Sequence, residues 1–116
     1  MRYVALIFQN DAEHAQWSQE QLAAEQRGYM DFGAEAGKFI VGSQGVALRD
    51  STTATTVRVR DGKTVTEPGP VVQAQEQCCG YYLLNCRDLD EAIEVAAKIP
   101  SAKNGAIELR PIVEFS

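Results

Sequence analysis

Histidine occurs once in this sequence, cysteine three times, and lysine plus arginine only eleven times. Each scarcity excludes a kind of chemistry before any element is placed. Cys78, Cys79 and Cys86 lack the paired spacing of a metal site, so no metal is expected. Adjacent cysteines such as Cys78 and Cys79 join only through a strained ring, which points to free thiols in a reducing cytoplasm. Against 16 acidic residues and a net charge of −5, the only basic cluster is Arg58, Arg60 and Lys63. A phosphate-backbone binder needs a basic stripe, so no direct nucleic-acid partner is expected. No apolar run approaches the roughly 20 residues that cross a bilayer, and Met1-Arg-Tyr-Val reads as a strand rather than a signal peptide, so a cytoplasmic protein without a membrane partner is expected. There is no Walker loop and no dinucleotide fingerprint, and no cofactor is expected.

What is present is ordinary globular material: 116 residues, 45% hydrophobic. That suits a single domain over residues 1–116, long enough to bury roughly two-thirds of its unfolded surface. Gly80 to Phe115 reads as strand, helix, strand. Gly80–Asn85 is apolar on both faces, as in a central strand. Asp88 caps a helix with Glu91 three residues on, a reciprocal capping pattern, and Leu89, Ala92, Ile93 and Ala96 form one stripe. Pro100 ends that helix near Ile99, and Ala106–Phe115 returns as a strand.

The earlier chain supplies the remaining elements. Arg2–Phe8 is a first strand, again apolar on both faces, followed by a polar loop over 9–16 that carries His14. Ser18, with Gln21 and the Trp17–Leu22 pair, marks a helix start by capping box and hydrophobic staple. That helix runs to about Ala36, with Gly37 as its left-handed end. Lys38–Leu48 contains a second strand, Phe39-Ile40-Val41, then the segment Gly42-Ser43-Gln44-Gly45, a bulge or a backbone passing close to a ligand, and then Val46-Ala47-Leu48. Thr53–Arg60 alternates, and Asp61-Gly62 turns it into a hairpin with Lys63–Thr66. Glu67 to Cys78, with prolines around Gly69, reads as an irregular loop. Without the hairpin extension the order is βαββαβ, a ferredoxin-like α+β fold. Its central strands are two-faced, so one apolar sheet face is left over, and a homodimer with sheets packed face to face is expected.

Ser51-Thr-Thr-Ala-Thr-Thr-Val-Arg-Val-Arg-Asp-Gly-Lys63 and the run from Cys86-Arg-Asp-Leu-Asp-Glu-Ala to Arg110-Pro-Ile-Val-Glu114 resemble the YCII-related family, most closely the branch named for its Asp-Gly-Pro-Phe motif. The resemblance covers nearly the whole chain and implies a dimeric α/β-barrel. Most such proteins have no established activity. A few act as small lyases or dehydrochlorinases through a His–Asp pair, and genes of the branch often neighbour extracytoplasmic-function sigma factors. The chain departs from the motif: Pro68-Gly69-Pro70-Val71 stands in its place, with Glu67 beside it as the nearest carboxylate, and Gln75-Glu76-Gln77 follows. Where relatives carry histidine or glutamate after the second strand, this chain has Gln44, which cannot transfer a proton near neutral pH. The family's acid–base pair is therefore not visible in the sequence.

Three residues are candidates for catalysis. His14 is either a general base or an exposed loop residue; Glu67 and Glu76 either face a ligand or satisfy loop amides. Gln44 and Gln77 are candidate ligand contacts on the same grounds, and Arg110 either holds a carboxylate or pairs with Glu108 or Glu114. Tyr81 and Tyr82 read as core or interface aromatics. Two functions follow from this. One is a homodimeric ligand-binding or regulatory module without the acid–base pair. The other is a cofactor-free lyase or isomerase acting on a small organic acid or phenol.

Overall fold

The computed structural model describes residues 1–42 and 44–115 of the chain. Its four-stranded antiparallel sheet is built from β1 (Arg2–Asn10), β2 (Val46–Ala47), β5 (Glu76–Asn85) and β6 (Ala106–Pro111), in the order β2-β5-β1-β6. Between β2 and β5, β3 (Thr55–Arg60) and β4 (Lys63–Pro68) form a separate two-stranded sheet. Three helices accompany them: α1 (Asp11–His14), α2 (Gln19–Ala36) and α3 (Leu89–Ala96). The result is an α+β fold of antiparallel sheets, compatible with the ferredoxin-like order once the hairpin is set aside. β1 and β5 occupy the centre, and β5 and β6 run parallel on either side of β1.

Burial follows the period of two along each central strand. Tyr3, Ala5, Ile7 and Gln9 point under the helices, as do Gly80, Tyr82 and Leu84 of β5. With Phe32 and Ala36 of α2 and Ala92, Val95, Ala96 and Ile99 of the α3 region, these apolar side chains form one core. Val4, Leu6 and Phe8, opposite Leu83, Tyr81 and Cys78, lie on the other face and are only partly buried.

Several local signals act as read. Ser18 Oγ accepts from the Gln21 amide at 3.1 Å, and Gln21 Oε1 accepts from the Ser18 amide at 2.8 Å, closing the capping box. Asp61 and Gly62 have φ of 51° and 73°, the left-handed pair of a tight hairpin turn. Others differ, each for a local reason. Gly37 has φ of −55°, because α2 runs on into a 3-10 turn instead of reversing there. Phe39 belongs to that turn, so the expected strand shrinks to a single bridge between Ile40 and Leu84.

In α3 the buried stripe is Ala92, Val95 and Ala96, while Leu89 and Ile93 are each 50% exposed. Small residues let the helix approach the sheet closely, and the larger pair flanks that contact. Asp88 accepts from the Glu91 amide at 2.9 Å, but Glu91 returns its bond to the Arg87 amide, one residue earlier than a capping box requires. The irregular loop is shorter than read. β4 extends to Pro68 and β5 begins at Glu76, leaving 69–75 between them. Within the Gly42–Gly45 segment, Ser43 lies outside the described residues.

Candidate functional site

A cleft of about 530 Å³ opens between the helices and the covered face of the sheet. Its walls come from β1 (Ile7, Gln9), α1 (Asp11, His14), α2 (Leu22, Glu25, Tyr29), the segment around Val46 to Asp50, and β5 (Cys79, Tyr82). The position follows from the fold. β2 is only two residues long, so it leaves the sheet edge short, and α1 and the first turns of α2 roof the gap.

His14 sits at this cleft because residues 9–16 are not a loop. β1 continues through Asn10, whose side chain accepts from the Glu13 amide at 3.1 Å and starts α1. His14 is the last residue of that one-turn helix. Its Nε2 lies 3.1 Å from Glu25 Oε1, with the two side chains 33% and 18% exposed, and its ring packs on Trp17 at 4.6 Å between centroids. A carboxylate only accepts, so Nε2 carries the hydrogen in this contact and Nδ1 is left as the basic atom.

Glu25 is held from the other side. Gln9 Nε2 donates to Glu25 Oε2 at 2.8 Å and lies equally close to Ser101 Oγ, which is 2.6 Å from the Tyr29 hydroxyl. His14, Glu25, Gln9, Ser101 and Tyr29 thus make one hydrogen-bonded chain from the cleft into the interior. Burial pushes the Tyr29 hydroxyl up to about 12. Asp11 accepts from the Ser51 amide at 3.0 Å and Asp50 from the Thr52 amide at 3.1 Å. Three carboxylates therefore line the cleft, and no lysine or arginine does among the described residues.

Cys79 enters the cleft through a bulge. Ile7 pairs with Gly80 and Phe8 with Cys78, so Cys79 is the extra residue, turned toward the helices. Burial first, then Cys78 and the carboxylates of Glu25 and Asp11, push this thiol up to about 12. It stays protonated at neutral pH, which removes the thiolate that nucleophilic catalysis requires.

Of the six candidate catalytic and ligand-contact residues, only His14 lines the cleft, although Tyr82, read as a core or interface aromatic, and Cys79, read as a free thiol, line it too. Glu67 is on β4, 3.7 Å from Arg58 in an exposed ion pair. Glu76 begins β5 opposite Asn10 and is exposed. Gln77 donates to the carbonyls of Val72 and Ala74 and so ties down the 69–75 loop. Gln44 is exposed. Arg110 donates to Glu108 at 2.9 Å along β6, while Glu114 pairs with Arg2 at 2.8 Å.

Glu25, Gln9, Tyr29 and Ser101 were not among the candidates, and Cys79 was read only as a free thiol. One available signal was the α2 stripe itself: Glu25 and Tyr29 stand four apart on the side where Phe32 and Ala36 are buried. A carboxylate on a core-facing stripe calls for a partner.

Comparison with known proteins places the chain among domains of undefined role. The model of the YCII-related domain matches residues 1–116. An uncharacterised protein of Rhizobium meliloti (strain 1021) is 32% identical over 124 residues, an alignment covering 99% of this chain and 94% of that protein.

Proposed function

The chain belongs to the YCII-related family, and from that membership and the geometry of the cleft we propose that it binds a small organic molecule and moves a proton on it without a cofactor. The 3.1 Å contact between His14 Nε2 and Glu25 Oε1 at the wall of an open cleft carries this reading. His14 Nδ1 takes a proton from the ligand, and Glu25 holds the ring and offsets the imidazolium charge. The family's His–Asp logic thus has a counterpart in this chain, in a histidine and a glutamate brought together by folding. A purely regulatory ligand-binding role would use the same cleft with the proton step unused.

The test is a thermal-shift screen with small neutral ketones and phenols on the wild type and on Leu22→Trp, whose indole fills the cleft from its rim. A ligand at ten times its Kd adds about 1.4 kcal/mol of stability, which raises Tm by several degrees in a domain of this size. The shift is expected in the wild type and lost in Leu22→Trp. If no compound moves the wild type, or if both proteins shift alike, the cleft is not the binding site.

The domain is further proposed to work as a homodimer with its open sheet faces packed together, the dimeric α/β-barrel that the family resemblance implies. Three observations support it. Val4, Leu6, Phe8, Tyr81 and Leu83 form a continuous, partly buried apolar face on the side of the sheet away from the core. The chain exposes 8237 Å², whereas a monomer of its mass exposes about 6,200 Å². Its radius of gyration is 16.0 Å, against about 13 Å for a compact chain of this length. Part of the excess area is the β3–β4 hairpin, whose residues are nearly all exposed, and the rest falls within what one partner of a permanent interface gives up. Light scattering at micromolar concentration is expected to report twice the chain mass, and Leu6→Glu to halve it. A wild-type mass equal to one chain would overturn the dimer.

A further inference from the structure

The hydrogens along the chain from Glu25 to Tyr29 can be assigned one by one. Glu25 Oε2 is an acceptor, so the Gln9 amide atom 2.8 Å from it is the nitrogen. That nitrogen is also 2.8 Å from Ser101 Oγ, and its second hydrogen goes there. Ser101 is fully buried, and among the described residues its hydroxyl has one further side-chain partner, the Tyr29 hydroxyl at 2.6 Å. Having accepted from Gln9, Ser101 gives its own hydrogen to the Tyr29 oxygen. The reverse order would make Ser101 accept twice and strand its proton in the interior, which is costly. Tyr29 therefore accepts from Ser101, and its own hydrogen has the cleft to go to, since Tyr29 is one of the cleft's walls.

We propose that Tyr29 is the cleft's hydrogen-bond donor to ligand and that the ligand is a small neutral molecule presenting a carbonyl oxygen. The proposal rests on the cleft being the binding site, as argued above. Electrostatics narrows the class. Asp11, Glu25 and Asp50 line the cleft without a lysine or arginine among the described residues, so a carboxylate ligand meets like charges. A cation would suit those charges but leave the Tyr29 hydrogen unmatched. Burial keeps Tyr29 protonated at neutral pH, so it serves as donor and not as base. The proton step then balances. A C–H bond next to the carbonyl breaks, the proton goes to His14 Nδ1, the electron pair moves onto the carbonyl oxygen, and Tyr29 hydrogen-bonds the enolate that forms. Return of the proton to carbon restores the histidine.

The experiment compares cyclohexanone, its hydrocarbon counterpart methylenecyclohexane, and cyclohexanecarboxylate as thermal-shift ligands for the wild type and Tyr29→Phe. Wild type is expected to bind cyclohexanone about three- to tenfold more tightly than methylenecyclohexane, and not to bind the carboxylate. Tyr29→Phe is expected to bring ketone and hydrocarbon to parity by losing ketone affinity alone. A preference for the ketone that survives in Tyr29→Phe overturns the Tyr29 assignment and leaves the cleft reading intact. Equal binding of ketone and hydrocarbon by the wild type, or binding of the carboxylate, overturns it without any variant. If none of the three moves the wild type, the carbonyl-ligand proposal falls, and the cleft reading is decided by the wider screen against Leu22→Trp.

Discussion

Leu84→Ala is expected to cost about 2–5 kcal/mol of folding stability, the range for emptying a fully enclosed leucine site. Leu84 is 0% exposed and sits on β5, one of the two central strands. It pairs with Tyr3 across the sheet and bridges to Ile40 on its other side. Neighbours on both flanks are fixed by backbone pairing, so the site cannot collapse around the lost atoms, and the upper half of the range is expected. Urea unfolding followed by circular dichroism reads the change as a lower midpoint at unchanged slope. A loss below about 1 kcal/mol would mean that the strand is not held from both sides.

Gly105→Ala is expected to be comparably damaging through excess atoms instead of missing ones. A Cβ at this position would fall inside the contact radius of the Phe8 carbonyl oxygen and lie 3.1 Å from the Phe8 carbonyl carbon and 3.2 Å from the Ser101 oxygen. These are backbone atoms, so no side-chain rotation relieves the overlap. β6 begins at the next residue, where Ala106 pairs with Phe8, and the Gly105 amide donates to the Ser101 carbonyl at 2.8 Å. Making room means lifting the start of β6 off β1 or displacing Ser101, and with it the hydrogen bonds to Gln9 and Tyr29. Overpacking costs about 1–3 kcal/mol or more where the backbone must shift. The same melt measures it, and a variant as stable as the wild type would show that the approach of Gly105 to β1 is not needed.

Local features were legible in the sequence and long-range ones were not. The Ser18 cap and the Asp61-Gly62 turn depend on residues within four positions of each other, and both form as read. The two-faced pattern of β1 and β5 likewise put them at the sheet centre. The α3 stripe was misjudged because Leu89 and Ile93 are the largest apolar residues of that helix, yet alanines at 92 and 96 permit the closer packing. The candidate site was barely legible. His14 acquires a partner only when α1 and α2 fold together, and Gln9 reaches Ser101 across 92 positions. The Cys79 bulge exists only as a register shift between two strands. No composition or spacing encodes it. The residues quoted for the motif, by contrast, identify the family but lie outside the cleft wall.

The placement of β1 between β5 and β6 also sets an order of events. Tyr3 finds its sheet partners at Leu84 and Pro111, so the middle of the sheet is the earliest segment in the chain and is completed by one of the last. During synthesis β1 leaves the ribosome with both backbone edges unpaired; one waits for β5 at 76–85 and the other for β6 at 106–111. Such sequence-distant pairing slows folding and exposes strand edges meanwhile. The hairpin of β3 and β4, paired only with itself, carries no such delay.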